Sequence, residues 1–326
     1  MIVLPKGKGS LEDVKSWRGI CLKSCPYKLL SGLLARRLSN YLEATSCLPD
    51  QQHGFRPGRS TMTACEKLIT RLAATLEVEG LMLYTVFVDF RSAFDLGSRH
   101  IAIERLAGMG VPGNILRLLK AILQRNHIAI DDGVVLHEPI TQTTGFPQGD
   151  NLSPVLFSVL VSDLPERILT RHPFVDCIMY ADDLVLFSRS RFHLQQALAT
   201  LTATTREIGL AINRTKTEAI KFRKGGRLAV RDELHLEGNA LKYVSAFVYL
   251  GVTLTPTGTS FSRHIRDRVR KAQLAMATIK TPQKLSIRTA LQLFSLKIAP
   301  TAAYGIQAIW RWLSKSDLER LESVKA

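Results

Sequence analysis

The sequence predicts an α+β protein with a separate helical lobe at its end. Three observations carry that prediction. Short runs rich in Val, Ile, Leu and Phe at 83–88, 174–179 and 184–187 have the length and composition of buried strands. Between them lie stretches with apolar residues at helical spacing, such as 29, 30, 33, 34 and 38. Pro256 and Gly258 then close the mixed region, and helical patterns with dense positive charge fill the remainder.

Taken in order, the chain begins with a hairpin, 2–4 against 18–22, around a Gly/Lys turn. A helix over 27–43 follows, then a glycine-bearing loop at 54–60. Ser60 is placed to cap a second helix over 61–78, because a serine hydroxyl can accept from the free N–H groups of the first turn. The strand at 83–88 leads into helical patterns at 99–108 and 113–125. A loop at 145–149 feeds one long apolar helix over 153–170. After the apolar hairpin come a helix at 192–208 and strand-like segments at 211–222 and 246–253. Basic helices at 261–280 and 284–299 and a tail with Trp310 and Trp312 finish the chain. No internal repeat or low-complexity tract interrupts it.

Composition narrows the class. At 326 residues, with 46% hydrophobic and 22% charged residues, the chain can bury a sizeable core and is not of the disordered type. No apolar run approaches the ~20 residues that span a bilayer, so no membrane association is expected. The first residues lack a basic stretch followed by a long apolar one, which argues against secretion. Five scattered cysteines (21, 25, 47, 65 and 177) form no Cys-x-x-Cys pair, which argues against a disulfide framework or a zinc site. An intracellular setting, nucleus or cytoplasm, is the expectation.

Charge is uneven. Of the net +16, residues 201–326 supply most, with 22 Lys/Arg against 9 Asp/Glu. Such a surface either tracks phosphates or is simply solvated. Upstream acids decide between these. Tyr180-Ala181-Asp182-Asp183 sets two adjacent carboxylates in a tight turn between apolar strands, where unpaired charge is costly. Asp89 ends another apolar strand. Three carboxylates on neighbouring strand ends can hold two magnesium ions, and an acid cluster joined to a basic lobe has the electrostatics of an enzyme acting on nucleic acid.

Seven blocks in order carry a family resemblance: PKGKG with SWRGI, QQHGFRPGRST, VFVDFRSAFD, GFPQGDNLSP, YADD, GLAINRTKTE and FVYLGV. With them the chain resembles a reverse transcriptase of the type found in non-LTR retrotransposons and group II introns, from residue 3 to about 254. The resemblance implies a right-hand polymerase. Fingers would span 1–80 with part of 100–140, a ferredoxin-like palm 81–255, and a short basic helical thumb 256–326. It implies RNA-directed DNA synthesis from a primer on an RNA template with deoxynucleoside triphosphates, using two Mg²⁺ ions or Mn²⁺ in their place. With no endonuclease or RNase H acids in view, a fragment or remnant of a retroelement is expected.

Residue by residue, the resemblance makes Asp89 and Asp182 the metal ligands, Asp183 a weaker partner, and the Phe90 carbonyl a backbone ligand. Phe94 falls at the position whose ring would exclude a ribose 2′-hydroxyl. Gln148 and Gly149 would flank the incoming nucleotide. Arg18, with Lys6 or Lys8 across the hairpin, would clamp the triphosphate, since a guanidinium binds phosphate oxygens in pairs and an ammonium acts as a point charge. Lys216 would protonate departing pyrophosphate, and Tyr249, Leu250 and Gly251 would grip the primer end. Arg56 and Arg59 would contact template or stabilise their own loop. Asp95 reads as structural and Asp150 as solvated. Arg263, Arg266 and Arg270, with His264, Arg268 and Lys271 beside them, would face a template–primer duplex. A relic without activity and an RNA-dependent RNA polymerase are the rival readings; the latter would normally carry Gly-Asp-Asp and no large ring at 94.

Overall fold

The computed structural model describes residues 1–7, 10, 12–124, 126–224, 233–279 and 285–325. Strands β1 (Ile2–Pro5) and β2 (Trp17–Ile20) pair antiparallel with Leu4 opposite Arg18. Helices α1 (Cys25–Ala44) and α2 (Thr61–Glu77) follow. Ser60 caps α2 as expected: its hydroxyl accepts from Thr63 N–H, and the Thr63 hydroxyl accepts from Ser60 N–H. After β3 (Leu83–Val88) come α3 (Ala93–Leu96), α4 (Arg99–Gly108) and α5 (Gly113–Gln124), then the short pair β4 (His127–Ile128) and β5 (Ile140–Thr141).

The expected helix over 153–170 is two helices, α6 (Ser153–Leu160) and α7 (Leu164–Arg171). Pro165 explains the break, because it has no N–H to donate and its ring crowds the preceding turn. Next come the hairpin strands β6 (Asp176–Tyr180) and β7 (Asp183–Ser188), α8 (Arg191–Glu207) and β8 (Glu218–Phe222). The strand expected from 211 begins only at 218, since Asn213 carbonyl accepts from the N–H groups of Lys216 and Thr217 and closes a turn. Small strands β9 (His235–Leu236), β10 (Asn239–Ala240) and β11 (Lys242–Tyr243) lead to the hairpin β12 (Phe247–Tyr249) and β13 (Val252–Leu254).

The chain ends in α9 (Ser262–Ala277), α10 (Ile287–Leu293), α11 (Ala299–Ala303), α12 (Ile306–Ile309) and α13 (Lys315–Glu322). A π-helical turn at Phe294–Ile298 interrupts the helix expected over 284–299. Pro300, two residues beyond it, cannot supply an N–H to the regular ladder.

The central sheet runs β11-β8-β3-β7-β6, antiparallel except for the β11 edge. Strand alternation splits its side chains between two cores, so both faces are dry and the strands read as unbroken apolar runs. Val86, Val88, Leu184 and Leu186 join the core under α4, α6 and α8. Phe87, Val185, Phe187 and Ile220 join a second core with α2, the β12–β13 hairpin, Phe261, Ile265 and Ile309. The end lobe is therefore less separate than expected, because its first helix and α12 share this second core. Among the described residues, a small cluster of Ala272, Ile298, Ala302 and Val324 belongs to the lobe alone.

Candidate active site

Register brings the acids together. Val88 pairs with Leu184, so Asp89, one residue beyond β3, stands opposite Asp183 at the start of β7. Tyr180 pairs with Asp183 and leaves Ala181 and Asp182 as the two turn residues. Ala181 sits at φ +56°, a left-handed conformation that costs an alanine about 1–2 kcal/mol.

Phe90 is oriented by the same ladder. Asn213 N–H donates to Asp89 O and Arg91 N–H donates to Ala211 O, both on the β8 side. Alternation then turns the Phe90 carbonyl to the opposite edge, where the β6–β7 turn lies. Two carboxylates and one backbone oxygen at neighbouring strand ends are a hard-oxygen donor set of the kind magnesium prefers. Among the described residues, no three His, Cys, Asp or Glu side chains close around one point as a self-contained metal cage. Like charges without a cation repel, so an open cluster is the expected resting geometry, and the remaining ligands would be water and substrate phosphate.

Electrostatics agree with that account. Loss of hydration, with the nearby Asp89 charge, raises the Asp182 carboxyl above its ordinary value, against smaller opposing pulls from a bond to its own backbone N–H and from Arg18. Asp183 keeps an edge exposed to water, yet the protein packed about its base, together with Asp182 and Asp89, pushes it up to about 6. An acid raised on folding costs stability in full above its folded value and none below its unfolded value near 3.8. Asp183→Asn is therefore expected to raise the melting temperature of the metal-free protein at about pH 7.5. The advantage should shrink below about pH 6 and vanish only near pH 3, below the unfolded value, where both states are protonated. Thermal melts in EDTA across that range check it; a gain that persists at low pH would contradict it.

Beside the acids stands an aromatic wall. Phe94 stacks on Phe157 with centroids 4.5 Å apart and meets Phe55 edge-on at 6.3 Å. Phe55 also lies 6.5 Å from the Tyr180 ring and is 47% exposed, at φ +58°. Phe94 is thus half in the core and half at the site. Phe55 was not singled out from the sequence; a large ring after Gly54 in a turn-rich loop was the available signal.

The loop after β5 closes another side. Phe146 N–H donates to Phe94 O at 2.6 Å, and Cys21 N–H to Gln148 O at 2.7 Å, joining the loop to the end of β2. Gly149, at φ +99°, passes so close that a Cβ would lie 2.9 Å from Cys21 O. The Gln148 amide reaches Asp95 Oδ1 at 3.5 Å. Asp95 lies in α3 with its side chain exposed. Asp150 is not solvated: it is 7% exposed and accepts from Tyr27 hydroxyl at 2.5 Å and Leu152 N–H at 3.1 Å.

Arg18 and Lys6 project from the N-terminal hairpin. Loss of hydration raises the Asp95 carboxyl above its ordinary value against smaller opposing pulls from the Gln148 amide, Lys6 and Arg18, and Arg18 also acts on Asp182. Lys8 lies outside the described residues. Arg56 is buried in its own loop, bound to both Glu43 oxygens at 2.7 Å and to Pro49 O at 2.6 Å. Arg59 binds Asp50 and its carbonyl at 2.6 Å. The open question about both arginines falls to loop stabilisation.

Lys216, Asp89, Asp183 and Tyr249 line one small cleft of about 60 Å³. Tyr249 is 3% exposed, and its hydroxyl has no hydrogen-bond partner. Leu250 and Gly251, at φ +45° and +85°, form the tip of the β12–β13 hairpin, where Tyr304 hydroxyl donates to Leu250 O at 2.9 Å. On α9, Arg263, Arg266, Arg270 and Lys271 are exposed. His264 and Arg268 are not on that surface. His264 is buried, accepting from Thr253 N–H and bonding Tyr304 O, while Arg268 binds Thr301 O and lies over the Tyr304 ring.

An acid pair on adjoining strands of an antiparallel sheet, flanked by a hairpin and an aromatic cluster, defines a polymerase of the right-hand class. The chain belongs to the reverse transcriptase (RNA-dependent DNA polymerase) family, whose pattern it matches over residues 4–254. It is 28% identical over 326 residues to the probable RNA-directed DNA polymerase from transposon BS of Drosophila melanogaster, covering 95% of this chain and 35% of that protein. It is 26% identical over 341 residues to the RNA-directed DNA polymerase from mobile element jockey of the same species, covering 100% and 36%. These likenesses make it a reverse transcriptase domain of the non-LTR type. The chain spans little more than a third of the curated relatives' length. Among solved structures, apo telomerase from Candida tropicalis shares the fold with a TM-score of 0.53 at 12% identity, covering 91% of this chain and 56% of that one. Its form truncated from the C-terminal domain gives 0.52 at 13%, covering 71% and 44%. The fold is that of a right-hand polymerase.

Proposed function

We propose that this chain, as part of a non-LTR retroelement protein, extends a DNA primer by copying an RNA template with deoxynucleoside triphosphates. The convergence of Asp89, Asp182 and the Phe90 carbonyl edge carries the reading. Members of the family use divalent metal ions; here Mg²⁺, or Mn²⁺ in its place, would be held by Asp89, Asp182 and Phe90 O with Asp183 alongside. Such ions ease deprotonation of a primer 3′-hydroxyl and neutralise charge on the leaving pyrophosphate.

The chain's own groups then divide the work. The primer oxygen would join the α-phosphorus as the bond to pyrophosphate breaks, and Lys216, which lines the same cleft, would return a proton to the departing group. Arg18 and Lys6 would hold the triphosphate, Gln148 and Gly149 the base and sugar, and Phe94 would reject a 2′-hydroxyl. Tyr249, Leu250 and Gly251 would position the primer end from the hairpin beside the acids. Fingers would then be 1–80 with part of 100–140, palm 81–255 and thumb 256–326, with Arg263, Arg266 and Arg270 turned to duplex phosphates. Among the described residues no helix is long and apolar enough to cross a membrane. The five cysteines are unpaired, which suits the reducing interior of nucleus or cytoplasm.

Primer extension tests the reading. Oligo(dT) on poly(rA) should lengthen with dTTP and Mg²⁺ and should not with Asp182→Ala. Preference for UTP would favour an RNA polymerase, and equal synthesis by Asp182→Ala would overturn the assignment of the site.

A further inference from the structure

Gln52 has no role in the chemistry above, yet it is a polar side chain only 1% exposed. Its amide lies against the peptide at the tip of the acidic hairpin. Oε1 accepts from Ala181 N–H at 2.9 Å and from Gly54 N–H at 2.8 Å, and Nε2 donates to Ala181 O at 3.4 Å. The backbone on either side is paired as well: Met179 N–H donates to Gln51 O at 2.8 Å and His53 N–H to Met179 O at 2.7 Å. Residues 51–53 thus run alongside β6 as a parallel bridge, and the Gln52 side chain carries the pairing onto the turn. Gly54 makes the approach possible, because a Cβ there would overlap Ala181 N.

Ala181 is 4% exposed, so its peptide groups have little access to water and need protein partners. It is also held at a φ that alanine disfavours. The next residue is Asp182, whose direction follows from the Ala181 backbone. Relaxation of Ala181 to an extended conformation would swing that carboxylate away from Asp89.

We propose that Gln52 is a positioning residue for Asp182, fixing the left-handed Ala181 peptide so that the carboxylate faces the cation site. This rests on the polymerase reading. Gln52→Met keeps the length and removes all three bonds; Gln52→Asn keeps the amide but draws it back by one methylene. In either variant kcat on poly(rA)/oligo(dT) is expected to fall about 10- to 100-fold, with KM for dTTP changed less than about threefold. The Mg²⁺ concentration for half-maximal rate should rise, and Mn²⁺ binding without substrate, followed by electron paramagnetic resonance, should weaken. Adding Ala181→Gly should recover at least about tenfold in kcat and restore Mn²⁺ binding, since glycine adopts positive φ without strain.

A purely structural Gln52 gives a different result. Loss of rate would track loss of folded protein, Mn²⁺ affinity of the folded fraction would be unchanged, and Ala181→Gly would recover nothing. That pattern, or wild-type behaviour in both variants, overturns the proposal. Failure of the wild-type chain to make DNA would instead overturn the polymerase reading, and the Mn²⁺ titrations would still decide the role of Gln52.

Discussion

Asp182→Ala is expected to cut primer extension about 10⁴-fold while leaving the fold intact. Cation stabilisation of a phosphoryl transition state is worth several kcal/mol, and each ~1.4 kcal/mol is a factor of ten in rate. The stability side has the opposite sign. Burial and the Asp89 charge already disfavour the ionised Asp182 carboxyl, so its removal relieves repulsion. Steady-state extension and thermal melts in EDTA check both halves. An inactive variant with an unchanged or raised melting temperature is the expected result. An inactive variant that melts well below wild type would point to a folding defect and leave the catalytic role of Asp182 unsupported.

The second large effect concerns the sugar. Phe94→Ala is expected to narrow the preference for dTTP over UTP by about 10²-fold, the upper end of what steric exclusion in a pocket supplies. The side chain is also stacked on Phe157 and packed against the main core, so the substitution should cost about 2 kcal/mol of stability. Phe94→Val should cost less stability and loosen selectivity less. Ratios of kcat/KM for the two nucleotides separate the effects, because a stability loss lowers both alike. An unchanged ratio would mean that the ring is only core.

The acidic hairpin was legible in the sequence for a local reason. A turn of two residues between apolar strands can be seen in ten consecutive positions, and register follows once the turn is placed. The cap of α2 was legible in the same way, since Ser60 and Thr63 act within one turn. Periodicity alone hid the break between α6 and α7, because apolar residues resume at Leu164 and Ile168, and only Ser162-Asp163 with Pro165 mark it.

What was not legible depends on contacts between distant positions. Gln52 and Ala181 are 129 residues apart, and nothing in either neighbourhood names the other. His264 and Arg268 share α9 with exposed arginines, and helical spacing cannot say that Tyr304 covers their face. Asp150 followed the same course: an acid in a glycine-bearing loop reads as solvated until Tyr27, on α1, closes over it. Arg56 and Arg59 could serve either the template or their own loop as far as the sequence goes, and in the fold they pair with Glu43 and Asp50, acids just upstream.

Anomalous diffraction from the wild-type chain, crystallised with template–primer, an unreactive deoxynucleotide and Mn²⁺, examines the cation site with the least inference. The account predicts two manganese peaks about 3.5–4 Å apart, each within ~2.2 Å of an oxygen of Asp89 or Asp182. Peaks bound elsewhere, or the Asp89 carboxylate turned away from Asp182 with no metal between them, would contradict it.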